Sequence, residues 1–139
     1  NDAYRAKPEK KKMHADYVRN RMRRDPIYKM RKRMSSAISR TLRRLGGNKR
    51  KSGTFENLPY TPRELFEHLE KQFDDKMSWE NYGTYWHLDH IHPQKETPYD
   101  NLQHPNFLKC WALENLQPLE AKENIKKGAK IANAGLKTI

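Results

Sequence analysis

The uneven placement of charge constrains this chain more than any other feature. Residues 1–53 hold 19 Lys or Arg against 4 Asp or Glu, whereas residues 54–139 hold 10 against 13. The net charge of +12 therefore belongs almost wholly to the first part. With a hydrophobic share of 35% and a charged share of 33%, one large core is not expected. The composition predicts one modest core with basic, partly exposed helices around it, some of them ordered by a partner. Dense positive charge draws in a polyanion and releases its condensed counterions, so the expected partner class is nucleic acid, with a merely solvated basic surface as the alternative. Membrane binding normally wants a bulky apolar face opposite the basic one. No apolar run approaches the roughly 18 residues that span a bilayer, and nothing reads as a signal peptide. The expectation is an intracellular, cytoplasmic protein with no membrane partner. The one cysteine, Cys110, excludes an internal disulfide and a cysteine-rich zinc site, and reads as a small buried hydrophobe.

Along the chain, the first dozen residues through Lys10-Lys11-Lys12 read as a flexible basic lead-in, followed by a short helix over His14–Arg24 that Pro26 interrupts. Ile27, Met30, Met34, Ile38, Leu42 and Leu45 then recur at three- and four-residue spacing, one apolar stripe of a second helix. Lys29, Arg31, Lys32, Arg33, Arg40, Arg43 and Arg44 surround it, and Gly46-Gly47-Asn48 stops it. A basic hinge at Lys49–Gly53 marks the expected boundary between a basic helical arm (1–53), the expected nucleic-acid-binding part, and a second domain (54–130), with a tail over 131–139. Thr61, Pro62 and Glu64 form the start of a helix as cap, first position and capping box. Leu65, Phe66, Leu69 and Phe73 give its buried face, and it is expected to end near Asp74-Asp75. A compact turn over Met77–Gly83 precedes a strand at Tyr85–Ile91. Residues 93–111 read as a long loop with a helical turn near Asn106–Lys109. Leu116–Leu119 reads as a second strand, and Ala121–Lys127 as a helix ended by Gly128.

The chemistry concentrates in Trp86-His87-Leu88-Asp89-His90-Ile91-His92-Pro93, Glu114-Asn115-Leu116-Gln117-Pro118-Leu119 and Glu123-Asn124-Ile125-Lys126-Lys127-Gly128. Asp89 is a hard oxygen ligand suited to Mg²⁺, and Asn124 adds a neutral carbonyl oxygen. His90 takes up a proton near pH 7 when its environment leaves it unperturbed. Asp89 and His90 point to opposite faces of an ideal strand, so one site uses both only where the strand bends, bulges or ends. His92-Pro93 makes an ending the expectation.

The ordered set Asp89-His90, Asn115 and Asn124 resembles the HNH, or ββα-metal, endonucleases. The wider context resembles HNH proteins of phages and mobile elements, including homing-type enzymes. It runs through Phe66-Glu67-His68-Leu69-Glu70-Lys71-Gln72-Phe73, Met77-Ser78-Trp79-Glu80-Asn81-Tyr82-Gly83 and Trp86–Ile91, to Asn115–Leu119 and Asn124–Gly128. The resemblance implies an α+β fold in which two short antiparallel strands and a metal-bearing helix follow the basic helices. It also implies Asp89 and Asn124 as metal ligands, His90 as general base, Asn115 as the tie on the loop between the strands, and Lys127 near the substrate phosphate. The cofactor it implies is Mg²⁺, with Mn²⁺ or another divalent ion as substitutes. The cysteine pairs that hold a structural zinc in many relatives are missing, which leaves Trp79, Trp86, Leu88, Ile91, Leu116, Leu119 and the helix at 61–74 to hold the small fold.

The expected activity is Mg²⁺-dependent hydrolysis of double-stranded DNA, by a monomer or weak homodimer that nicks, with a phage protein as a candidate partner. Arg31, Lys32, Arg33, Arg40, Arg43, Arg44, Lys49, Arg50 and Lys51 are the expected DNA contacts. Competing readings are a nonspecific toxin or defence nuclease, and a DNA-binding or phage-assembly module that keeps the scaffold without cutting. His87 and His92 are candidates for supporting roles, while His14, His68 and His104 carry no catalytic expectation.

Overall fold

The computed structural model describes residues 7–47 and 53–128. Two helices open it: α1 (Pro8–Arg24) and α2 (Pro26–Arg44). Helix α1 begins inside the stretch expected to be flexible, with Pro8 at its first turn and Glu9 next to it, both favourable at a helix N-terminus. It buries none of its residues. Asp25 separates the helices, and its side chain accepts a hydrogen bond from Tyr28 N. Pro26, expected as an interruption, is the first residue of α2, where its missing N–H costs nothing.

Met30, Met34, Ile38 and Leu42 of α2 are all buried, as the stripe predicts; Leu45 lies just past the helix and is exposed. The helix ends in a Schellman arrangement: Gly46 N donates to Arg43 O, and Gly47 N to Leu42 O at 2.7 Å. Gly46 takes φ 86, a conformation that suits glycine.

Helix α3 (Pro62–Glu70) has the predicted capping box, with both Thr61 and Glu64 side chains bonded to each other's backbone N–H. It stops at Glu70, short of the expected Asp74-Asp75, because Gln72 and Phe73 turn back onto the carbonyls of Leu69 and Glu70. Leu65 and Leu69 are fully buried, while Phe66 stacks on Trp79 at 3.6 Å between ring centroids. Trp79, Phe73 and Tyr82 in turn surround Trp86, whose indole donates to Ser78 O.

Strand β1 (Trp86–His90) pairs antiparallel with β2 (Leu116–Glu120) in the register Trp86↔Glu120, Asp89↔Gln117 and His90↔Leu116. Between them lie 3-10 turns at Gln94–Glu96 and Leu113–Asn115 and a short helix, α4 (Pro105–Cys110), capped by the His104 side chain. Residues 121–128 are helical and form α5. The result is a mixed α+β domain in which an antiparallel strand pair packs against helices. His68 of α3 is bonded to Leu116 O at 2.9 Å.

One core unites these parts. Met30, Met34, Ile38 and Leu42 belong to the same buried cluster as Leu65, Leu69, Trp86, Phe107, Trp111 and Leu116. The boundary expected at residue 53 falls beside residues outside the described set, and apolar packing is continuous across it. Cys110 is buried, and burial pushes its thiol up to about 11. Ile91, expected in the core, is exposed at 41% because β1 has already ended. Among the described residues no helix is long and apolar enough to cross a membrane.

Candidate active site

The site is built where β1 ends. Asn115 enforces the ending: its backbone oxygen accepts from Ile91 N at 2.8 Å, and its side-chain oxygen accepts from His92 N at 2.7 Å. Its carboxamide N–H groups donate to Cys110 O at 2.8 Å and to His92 O at 3.4 Å. This buried residue therefore joins the exit of β1, the end of α4 and the entry to β2.

Strand geometry sends Asp89 and His90 to opposite sides, and both are buried, at 7% and 9% exposure. On one side, the Asp89 carboxylate accepts from Gln117 Nε2 at 2.9 Å and from Lys127 Nζ at 2.6 Å. Lys127 also donates to the backbone carbonyl of His90. Asn124 and Lys127, one turn apart on α5, line an open cleft of about 260 Å³ together with Leu88, Asp89, His90, Pro93 and Gln94. On the other side, the His90 ring meets Trp111 edge-on at 4.4 Å, and its Nε2 is buried without a hydrogen-bond partner. A second cavity of about 170 Å³ lies there, lined by His90, His87, Arg33, Tyr82, Gln94 and Trp111 among others. His90 thus borders both spaces.

The electrostatics differ from the unperturbed histidine the sequence suggests. Burial, opposed by the Asp89 carboxylate and assisted by the Lys127 ammonium, lowers His90 to about 4. The ring is neutral across the physiological range. His87 is also lowered, chiefly by burial and then by Arg33 and Lys29. His92 is exposed, with Nδ1 4.0 Å from Glu96.

The structure brings Asp89, His90, Asn115, Asn124 and Lys127 together at the strand end. Lys127, expected near a substrate phosphate, is bonded to Asp89. Among the described residues no three His, Cys, Asp or Glu side chains gather as a metal cluster. The donors present nonetheless fit Mg²⁺, which keeps several waters and takes one or two carboxylates beside substrate oxygens. Asp89 supplies the carboxylate and Asn124 the neutral oxygen, and the Lys127 ammonium on Asp89 demonstrates that a positive charge is accommodated there.

The predicted DNA contacts divide between two faces. Arg31 and Lys32 line a groove of about 470 Å³ with Arg21, Tyr28 and residues 53–56. Arg33 turns instead toward Tyr82 and the His90 cavity. Arg40, Arg43 and Arg44 are exposed along α2, and Lys49, Arg50 and Lys51 lie outside the described residues. Sequence reasoning missed Gln117 and Lys29. Gln117 becomes visible only when the register sets it opposite Asp89. Lys29 stands in the basic sweep of α2, but only tertiary structure singles it out.

The strand pair, the adjoining helices and this site define a mixed α+β domain with a polar cluster at one strand end. Two proteins of Acanthamoeba polyphaga mimivirus are similar to the chain. Uncharacterized protein L426 is 46% identical over 63 residues, covering 45% of this chain and 27% of that protein. Uncharacterized protein L246 is 32% identical over 130 residues, covering 86% of this chain and 55% of that protein. The chain spans about half the length of these curated relatives, or less. No family model and no solved structure matches it.

Proposed function

We propose that this domain is a divalent-metal-dependent endonuclease of the HNH type, acting on double-stranded DNA and leaving 5′-phosphate and 3′-hydroxyl ends. The carrying observation is the end of β1, where Asp89 and His90 adjoin the cleft that Asn124 and Lys127 line. Asp89 and Asn124 are the residues that would hold Mg²⁺. The chemistry such an ion supplies is neutralisation of charge on the scissile phosphate and its leaving oxygen. His90 accepts the proton of the attacking water. A neutral imidazole whose Nε2 has no protein partner suits that task. Asn115 acts indirectly, by ending β1 so that His90 sits at its last position. Lys127 neutralises Asp89 in the free protein and becomes a donor to the phosphate once that carboxylate has another cation.

The test is supercoiled plasmid incubated with Mg²⁺, for the parent and His90→Ala. The parent is expected to produce nicked circles before linear DNA, since one site cuts one strand per encounter. The folded variant is expected to bind DNA equally and cut it at least about 100-fold more slowly. An inert parent with Mg²⁺ and with Mn²⁺, or a variant cutting at full speed, refutes the proposal. A second reading, a DNA-binding module that does not cut, is favoured by the Lys127–Asp89 pair, which leaves the carboxylate already neutralised. It predicts plasmid binding without nicking.

A further inference from the structure

Two cations of α2 converge on the turn before β1 with no carboxylate between them. Lys29 and Arg33 are one turn apart and both reach Tyr82-Gly83. Lys29 Nζ donates to Tyr82 O at 2.6 Å and lies 5.3 Å from the tyrosine ring centre, and the Arg33 guanidinium is also 5.3 Å from it. Gly83 has φ 92, and a Cβ built on it would lie 2.7 Å from Arg33 Nη1 and 2.9 Å from Lys29 Nζ. Two positive side chains therefore close on the same small volume, and the missing Cβ is what lets them do so.

This costs electrostatic energy that the neighbours only partly offset. The Tyr82 carbonyl and ring face compensate some of it. Among the described residues neither Lys29 nor Arg33 takes part in an ion pair. Burial and then Arg33 lower Lys29. Two cations held this close, neither with a carboxylate partner among the described residues, favour the arrival of an anion. Arg33 and His87 also line the 170 Å³ cavity that reaches His90.

We propose that Lys29, Arg33 and His87 form a binding site for a phosphate group, filled in the working complex by a DNA backbone phosphate neighbouring the scissile one. The assignment rests on the nucleic-acid reading above and adds a contact that fixes where along the strand His90 works. The Arg33 fork engages two phosphate oxygens and Lys29 a third. His87, which lines the same cavity as Arg33, adds a ring N–H. The ligand chemistry, a tetrahedral phosphate oxyanion, is shared by the DNA backbone and by free inorganic phosphate.

The full chain is tested without divalent metal, so that no cutting intervenes. A short duplex is titrated at several salt concentrations with the parent, Lys29→Met, Arg33→Met and, as a control, Lys71→Met at the exposed residue just past α3. Each of the first two variants is expected to reduce the log–log salt slope by about 0.9, the value for one lost phosphate contact, and the control to leave it unchanged. In a second arm, inorganic phosphate is titrated while the His87 ring signals are followed by NMR, with the perturbation expected to vanish in Arg33→Met. Circular dichroism checks folding, and Arg33→Gln replaces Arg33→Met where the latter unfolds. Unchanged slopes together with silent His87 signals overturn the site. A His87 response with unchanged slopes overturns the DNA assignment and leaves free phosphate as the ligand. Reduced slopes in a protein that never nicks plasmid leave this site standing and remove the nuclease reading alone.

Discussion

Replacing Lys127 by Met separates the two jobs assigned to that side chain. In the free protein its ammonium lies 2.6 Å from Asp89 Oδ2, with the Asp89 side chain 8% and the Lys127 side chain 27% exposed. At an effective dielectric near 20, unit charges at that distance attract by about 6 kcal/mol, most of it offset by desolvation. A hydrogen bond to a charged partner leaves a net contribution of about 1.5–3 kcal/mol. Gln117 still donates to the carboxylate after the substitution, and the adjoining cleft admits water, so the lower end applies. Lys127→Met is therefore expected to unfold about 1.5 kcal/mol more easily without divalent ions. Because the ammonium competes for the same oxygen as the ion, the variant is also expected to bind Mg²⁺ or Mn²⁺ more tightly, by up to about tenfold for each 1.4 kcal/mol of competition removed. Added metal then restores its stability by mass action. Urea melts with and without Mg²⁺, alongside calorimetric Mn²⁺ titration of the parent, Lys127→Met and Asp89→Asn, measure both effects. Equal metal affinity in parent and Lys127→Met, where Asp89→Asn has lost it, refutes the competition. Unaltered metal-free stability refutes the pair.

Three further outcomes follow from the packing. His90 titrates at about 4 when folded and near 6.5 when unfolded. Its contribution is thus present above pH 6.5 and lost as pH falls through 4, about 3 kcal/mol in all; urea melts across pH 4–7 are expected to show a shallower pH slope for His90→Ala than for the parent. Asn115→Ala leaves the buried Cys110 carbonyl and the part-buried His92 N–H without that partner, so a loss of about 2 kcal/mol in urea unfolding is expected. Deleting residues 1–24 removes α1, none of whose residues is buried, and the melting temperature is expected to hold within a few degrees while duplex binding weakens and its salt slope becomes shallower.

Local rules made much of the fold legible. The Thr61-Pro62-Glu64 start, the stripe at Met30, Met34, Ile38 and Leu42, and the glycine stop at Gly46 all act within a few residues of themselves. Helix α1 is only half visible: its polar residues give no periodic stripe, so the basic run before His14 carries no helix signal. Alternation and turn residues locate both strands to within a residue, and the motif spacing singles out Asp89, His90, Asn115, Asn124 and Lys127 as candidates. What they do to one another was not legible, because it is set by register and burial. Gln117 meets Asp89 only across the strand pair, and the neutrality of His90 arises from burial against Trp111. Lys127 reached Asp89 because α5 follows β2 directly and lies along the end of β1.

The basic helix α2 carries more weight than a charged arm would. Its apolar stripe is one wall of the same core that holds Trp86 and Leu116, so its cations are fixed relative to His90 by packing. An arm tethered by a flexible hinge would gather DNA near the site without setting which phosphate lies there. Under the proposed function Arg33 would set it, because Met34, the next residue in α2, is buried beside the cavity that Arg33 and His90 both line. The difference is measurable with substitutions that loosen packing and keep charge. Met34→Ala enlarges a buried space at a cost of about 2–5 kcal/mol, which lets Arg33 drift. Under conditions where that variant remains folded, a tethered arm predicts unchanged duplex affinity and an unchanged cutting pattern. A fixed wall predicts affinity largely kept, since the net charge is the same, together with cleavage spread over neighbouring bonds on an end-labelled duplex.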